Sequence, residues 1–237
     1  MLTFIDISGW QSDLDPSSVY PNIDAVMVKA TEGTGFVSSS CDPFVQAAIK
    51  MNKPWGFYHY ARTNNATAEA DYFISNCENY FGNGIPVLDW EEGQSVTWVN
   101  EFVRRVHDKT GVWSWIYSNA SNFNQGGVEQ NCGRWVAAWP FGAHPSFSDA
   151  MNRDAPTCDG LVCAWQFCAD GRVDGYSGDL DCDVFYGGEV AWRSYAKGSE
   201  WEPDSETGNS AAEDSSNDSD SITLEGEGIR VTVERVD

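Results

Sequence analysis

Residues 84–93 read GIPVLDWEEG. Ile85, Pro86, Val87 and Leu88 make a short apolar run of the kind a buried strand uses, and it runs directly into Asp89, Trp90, Glu91 and Glu92. An ionised carboxylate is expensive to bury unless it is paired or given a task, so three acids at the end of a core strand need a reason. Side chains at i and i+2 of a strand share a face, which turns Asp89 and Glu91 one way and Trp90 the other. Two carboxylates on one face repel and raise each other's proton affinity, so that one protonated acid beside one ionised base is a natural result. Glycoside hydrolysis needs that combination. The competing reading is a strand that has simply ended in solvent, and the rest of the chain decides between them.

The strand belongs to a series. TFIDI (3–7), AVMVKA (25–30), WGFYHYA (55–61), IPVLDW (85–90), VWSWIYS (112–118), RWVAAW (134–139), LVCAWQF (161–167) and DCDVFY (181–186) are short, rich in β-branched and aromatic residues and bounded by turn residues. Helical patterns separate the early ones: CDPFVQAAIKMN, ATAEADYFISNCENY and SVTWVNEFVRRVHDKTG. Strands alternating with helices imply parallel strands and crossovers. Eight of them predict an α/β fold, a single (β/α)8-like barrel; the Gly-, Pro- and Ser-rich segments after strands five to seven leave it fewer than eight helices. Active sites of such barrels collect at the C-terminal ends of the strands, where Asp89 and Glu91 sit. Asp6 ends the first strand and Asp181 opens the last, so closure makes them neighbours across the seam. Asp179 and Asp183 share the parity of Asp181, which leaves a cation-binding loop as the alternative there.

Composition narrows the partners. A chain of 237 residues, 41% hydrophobic and 14% aromatic, can bury a sizeable core in one domain. Its formal charge of −22 argues against nucleic acid or an anionic membrane surface. From Gly198 onward 12 acids face 2 bases, leaving the first 197 residues at −12. That shift sets the expected organisation: a catalytic barrel over 1–197, an acidic, Ser-rich and disordered linker over 198–220, and a β-hairpin or fragment of a further module over 221–237. No apolar run approaches the roughly 18–20 residues of a membrane span, and no charged and apolar leader precedes LTFIDISGW. The expectation is a monomer made in the cytosol that acts after release, or a secreted protein whose signal has been removed. Seven cysteines lack paired C-x-x-C spacing and three histidines form no H-E-x-x-H pattern, so neither a metal nor a cofactor is expected and the thiols read as free.

Taken in order, DISGWQ (6–11), VKATEG (28–33), GFYHYAR (56–62), VLDWE (87–91), VAAWP (136–140), AWQF (164–167) and DCDVF (181–185) resemble the family 25 glycoside hydrolases, the Chalaropsis-type lysozymes also found as phage endolysins. The resemblance covers residues 3–187. It implies a barrel muramidase acting on bacterial peptidoglycan at the β-1,4 bond between N-acetylmuramic acid and N-acetylglucosamine. Glu91 then resembles the general acid and Asp89 its partner, with Asp6 and Asp181 as accompanying acids. Cys182 departs from the closing motif, where an apolar residue is more usual. The implied mechanism is substrate-assisted, with inversion through a carboxylate-activated water as the alternative. Tyr58, Tyr60, Tyr117, Trp139 and Gln166 are the expected sugar contacts, and Glu32 lines the site or pairs with Lys29. Trp55, Trp98 and Trp113 are assigned to packing and His59 to a structural role. Two other functions compete: an inactive peptidoglycan-binding module, which loss of Asp89 or Glu91 would mark, and a chitinase-like hydrolase, which usually carries further aspartates before the final D-x-E.

Overall fold

The computed structural model describes residues 1–198, 221–226 and 229–234. In chain order the elements are β1 (Leu2–Ile7), a 3-10 turn at Gly9–Gln11, α1 (Pro16–Val19), a second 3-10 turn at Tyr20–Asn22, β2 (Ala25–Glu32), β3 (Phe36–Val37), α2 (Cys41–Lys50), β4 (Trp55–Tyr60), α3 (Ala66–Asn76), β5 (Ile85–Asp89), α4 (Val96–Thr110), β6 (Trp115–Asn119), α5 (Ala120–Phe123), β7 (Arg134–Ala137), α6 (Phe147–Met151), β8 (Val162–Gly171), β9 (Leu180–Phe185) and α7 (Glu189–Lys197). Eight strands close into a barrel, with β1 bonded to both β2 and β9; β3 is a short addition to β2. Separately, β10 (Ser221–Gly226) and β11 (Ile229–Glu234) pair antiparallel. The linker expected over 198–220 lies, from residue 199, outside the described residues.

Alternation along each strand builds two apolar layers. Phe4, Met27, Tyr58, Val87, Trp115, Tyr117, Trp135 and Phe185 fill the barrel, while Ile5, Val26, Val28, Phe57, Leu88, Ile116, Val136 and Val184 face the helices. Helix α4 answers the second layer with Val99, Phe102, Val103 and Val106, spaced for one helical face. Ser95 caps its start by accepting from the Trp98 amide, and Gly111, at φ 74°, ends it in the left-handed region that a β-carbon disfavours. Inside the barrel Gly56 is required for space, since a β-carbon there would lie 2.6 Å from the Met27 sulfur and 2.8 Å from the Ile85 carbonyl oxygen. All seven cysteines are free, and only Cys158 is not buried.

The last strand corrects the expectation of parallel pairing throughout. β9 runs antiparallel to both β8 and β1, whereas the other barrel pairs are parallel. Sequence ended strand seven at Phe167, which left room for a crossover before Asp181. β8 instead continues through two register shifts to Gly171, leaving only residues 172–179 to connect. A parallel return needs a dozen or more residues, so the chain turns straight back. As a result β9 starts at the barrel mouth and runs to the floor.

Helix α7 closes that floor. Trp192 is buried against Phe4, Trp115 and Phe185 at centroid distances of 5.2–5.4 Å, and its indole N–H donates to the Trp55 carbonyl at 3.0 Å. No helix among the described residues is long and apolar enough to cross a membrane. Replacing Trp192 by Ala removes the plug and orphans a carbonyl. The expected cost is about 3–5 kcal/mol, read as a lower midpoint in denaturant or heat, while Trp10→Ala, at a 91% exposed position, should leave stability within about 0.5 kcal/mol.

Candidate active site

The mouth of the barrel is a cleft of about 310 Å³ lined by Asp6, Tyr58, Tyr60, Asp89, Glu91, Tyr117, Trp139, Gln166 and Asp181, together with Ser8, Trp10, Gln11, Lys29, Trp135 and Ala169. Nine of the ten residues singled out from sequence therefore converge, from seven different strands and their following loops. Parity does this work: Asp89 and Glu91 point inward while Trp90 is fully buried on the outer layer, its indole bonded to the Gln94 carbonyl at 2.8 Å. A larger hollow of about 730 Å³ between residues 12–17 and α2 is lined mainly by apolar and serine side chains and holds no comparable group of acids.

Asp6 and Asp181 are direct partners in the β1–β9 register. The antiparallel course of β9 is what allows a strand-opening residue to stand opposite a strand-ending one. Burial, and then the charge of Asp181, hold Asp6 well above the usual carboxylate range; burial and the charge of Glu91 push Asp181 up to about 6. Asp6 accepts a 2.8 Å hydrogen bond from the Gln166 amide nitrogen. The orientation of that amide is fixed from its other end, where Oε1 accepts from the Tyr117 hydroxyl at 2.8 Å and the Trp139 indole at 3.1 Å. Three of the expected contacts thus form one chain of donors ending on an acid.

Asp89 is 7% exposed, whereas Glu91 is exposed. Burial, followed by the charge of neighbouring Glu91, raises Asp89 well above its ordinary range. Oδ1 of Asp89 is closed to solvent and has no hydrogen-bond partner. A buried polar atom without a partner costs free energy, and a donor brought by a ligand would remove that cost.

Glu32 is placed elsewhere: it does not line the cleft but lies behind it, 2.6 Å from Lys29 Nζ and 2.7 Å from the Arg62 guanidinium, which also binds Glu92. Among the described residues Lys29 is the only cation lining the cleft, its ammonium 4.5 Å from the Tyr60 ring centre. The packing roles read for Trp55, Trp98 and His59 match their surroundings. Trp55 is buried, Trp98 stacks on Phe102, and His59 is sealed between Thr31 and Glu69 at 2.8 and 3.0 Å. Trp113 stacks on His107 at 3.9 Å. Asp179 faces away and pairs with Arg172 at 2.6 Å, so it does not join Asp181 in a cation loop.

No sequence signal singles out Ser8, Trp10 or Gln11 as site residues, and Lys29 and Asp183 stand out there only as the possible partner of Glu32 and as a neighbour in parity of Asp181. The first three sit in the quoted DISGWQ motif, where Ser8 caps the turn and Gln11 returns a bond to its amide, leaving Trp10 projecting at the rim. Asp183 was seen only as a rival to Asp181 in parity; nothing in the local pattern separates the two.

Comparison with known proteins agrees with this architecture. The family model described as glycosyl hydrolases family 25 matches residues 5–176. Lysozyme M1 of Streptomyces globisporus is 33% identical over 206 residues, covering 77% of this chain and 67% of its own length. The N,O-diacetylmuramidase of a Chalaropsis species is 31% identical over 137 residues, covering 49% of this chain and 65% of that one. The crystal structure of the bacterial lysozyme from Streptomyces coelicolor superposes with a TM-score of 0.69 at 29% identity, over 83% of this chain and 97% of that one. With its eight-stranded barrel and its cluster of acids at the mouth, this chain belongs to glycosyl hydrolases family 25.

Proposed function

We propose that the chain is a peptidoglycan muramidase, acting as a monomer on the bacterial cell wall and cutting the β-1,4 bond from N-acetylmuramic acid to N-acetylglucosamine. The observation that carries this reading is the Asp89–Glu91 pair: two carboxyls lining one cleft, one buried with an unpartnered oxygen and one open to solvent. Between them the pair holds a proton, because two neighbouring carboxylates, one of them buried, do not both ionise readily. Glu91, at the open side, hands it to the leaving glycosidic oxygen. Asp89 then accepts the N–H of the sugar's own acetamido group, which steadies the acetamido oxygen for attack on the anomeric carbon. Asp6 and Asp181 supply negative charge near the positive charge that develops on the ring. Trp10 and Trp139, exposed at the rim, offer flat faces to sugar rings, with Tyr58 and Tyr60 beneath them.

All of these groups lie between Asp6 and Asp181, so residues after Gly198 are dispensable for the chemistry. A chain ending at Gly198 should cleave short soluble glycan fragments at the full-length rate; a folded but inactive truncation would place part of the site in the tail. Mass spectrometry of borohydride-reduced peptidoglycan digests should find the new reducing ends on muramic acid, and reducing ends on glucosamine would refute the assignment. Glu91→Gln should lower kcat by roughly 10²–10⁴-fold with little change in substrate binding. Asp89→Asn should also be severe, while a far smaller loss would make Asp89 auxiliary. Since burial and Glu91 raise Asp89, the shared proton persists above the ordinary carboxylate range and leaves as pH rises through the raised value. The pH profile of kcat/KM should therefore fall on its alkaline side above that range, and a fall centred on an ordinary carboxylate value near 4 would contradict the shared proton.

A further inference from the structure

One carboxyl at the mouth has no part in the scheme above. Asp183 is completely buried, two residues further into the barrel than Asp181, and pairs in register with Phe4 on β1 and with Gln166 on β8. Its Oδ1 accepts the Trp135 indole N–H at 2.8 Å. Its Oδ2 is sealed from solvent and receives no donor from the described residues. A buried carboxylate with a bare oxygen is a costly arrangement, and the surroundings give no relief. The ionisable groups that face Asp183 are Asp6 on β1, Asp181 on its own strand, Cys168 on β8 and Tyr117 on β6, none of them a cation. Lys29, which lines the cleft, acts on Asp89.

The bare oxygen is resolved if it carries a hydrogen. Asp183 stands in register with Gln166, whose amide binds Asp6, so the two buried carboxyls are close neighbours, and such a pair shares one proton more readily than it holds two charges. Geometry decides which member keeps it. Asp6 already faces the Gln166 N–H, whose orientation is locked by Tyr117 and Trp139, and that donor favours an ionised Asp6. Asp183 is deeper and has an oxygen with nothing to accept.

We propose that Asp183 is a buried carboxylic acid, neutral in the working enzyme, that donates a hydrogen bond from Oδ2 to Asp6 and holds that carboxylate ionised and aimed into the cleft. Asp183 is a positioning residue: it touches no sugar and acts through Asp6. The role in hydrolysis rests on the muramidase reading, whereas the proton itself does not. Burial, followed by the charges of Asp6 and Asp181, raises the proton affinity of Asp183, in keeping with this state.

Two measurements without substrate and one with it test the proposal. In carboxyl ¹³C NMR of the full-length protein, with the Asp183 signal identified by its absence from Asp183→Asn, the resonance should be that of a neutral acid at pH 6; a carboxylate resonance there overturns the proposal. A group whose folded pKa is raised contributes stability that is complete at low pH and lost as pH rises through the folded value. Asp183→Asn keeps the shape and replaces O–H by a non-titrating N–H, so its Tm should fall less than that of the wild type as pH is raised above 6. Superimposable Tm profiles would count against a titrating proton. With soluble glycan fragments at pH 6, Asp183→Asn should retain kcat/KM within about threefold. Asp183→Leu, folded by circular dichroism, should lose about tenfold to a hundredfold in kcat with KM little changed, the range expected for a hydrogen bond to a charged group. Equal losses in the Asn and Leu variants would overturn the positioning role. If the neutral-acid signal is present but no glycan is cut, the muramidase reading fails and the proton pair survives; an ionised Asp183 in an enzyme that cuts glycan has the opposite meaning.

Discussion

The site depends on the seam where β9 runs antiparallel between β8 and β1. Ring closure alone would have placed the start of the last strand at the floor of a parallel barrel, far from the end of β1. Reversal of that one strand brings Asp181 opposite Asp6 and carries Asp183 into the layer beneath. The same reversal delivers the chain to the floor after Phe185, where α7 lays Trp192 across the barrel. One short connection thus assembles the acidic mouth and closes the opposite end.

Electrostatically the mouth is expensive. Asp6, Asp89, Asp181 and Asp183 all have raised proton affinities, with burial as the leading cause, and among the described residues a single lysine lines the cleft. The remaining positive charge nearby is engaged elsewhere, since Arg62 is bound to Glu32 and Glu92. Retained protons and fixed neutral donors relieve the repulsion. Gln166, Tyr117, Trp139 and Trp135 all direct hydrogen bonds toward the acids or toward each other on the way to them. Such an arrangement sacrifices stability for a set of charges that need not reorganise when a cation-like sugar forms between them.

Behind the cleft the scaffold is rigid for a different reason. His59 is sealed between Thr31 and Glu69, and Glu69 also accepts from the backbone amides of Arg62 and Asn64. This fully buried network ties the end of β4 to α3 and fixes the loop that presents Arg62 to the rim. Burial keeps the imidazole below its usual proton affinity, consistent with a structural hydrogen-bonding role.

How much of this was legible beforehand depends on the range of the rule involved. The period-two alternation of a strand is local, so VLDWE by itself turned Asp89 and Glu91 inward and Trp90 outward; likewise the 3.6-residue period of 96–106 marked α4. The ordered motifs gave the family, and strand count gave the barrel. Glu32 satisfied the same motif logic but is drawn back by Lys29 and Arg62, because an exposed-side acid goes to the cations within reach, and those are set by the partner strand and loop. The direction of β9, the facing of Asp6 and Asp181, and the separate fates of Asp179, Asp181 and Asp183 were decided only in three dimensions. They turn on two register shifts that lengthen β8, and a bulge leaves no periodic trace in the sequence. Sequence therefore determined which acids exist and which way the central pair points, while the closed sheet determined which acids meet, because meeting is a property of non-local register and burial.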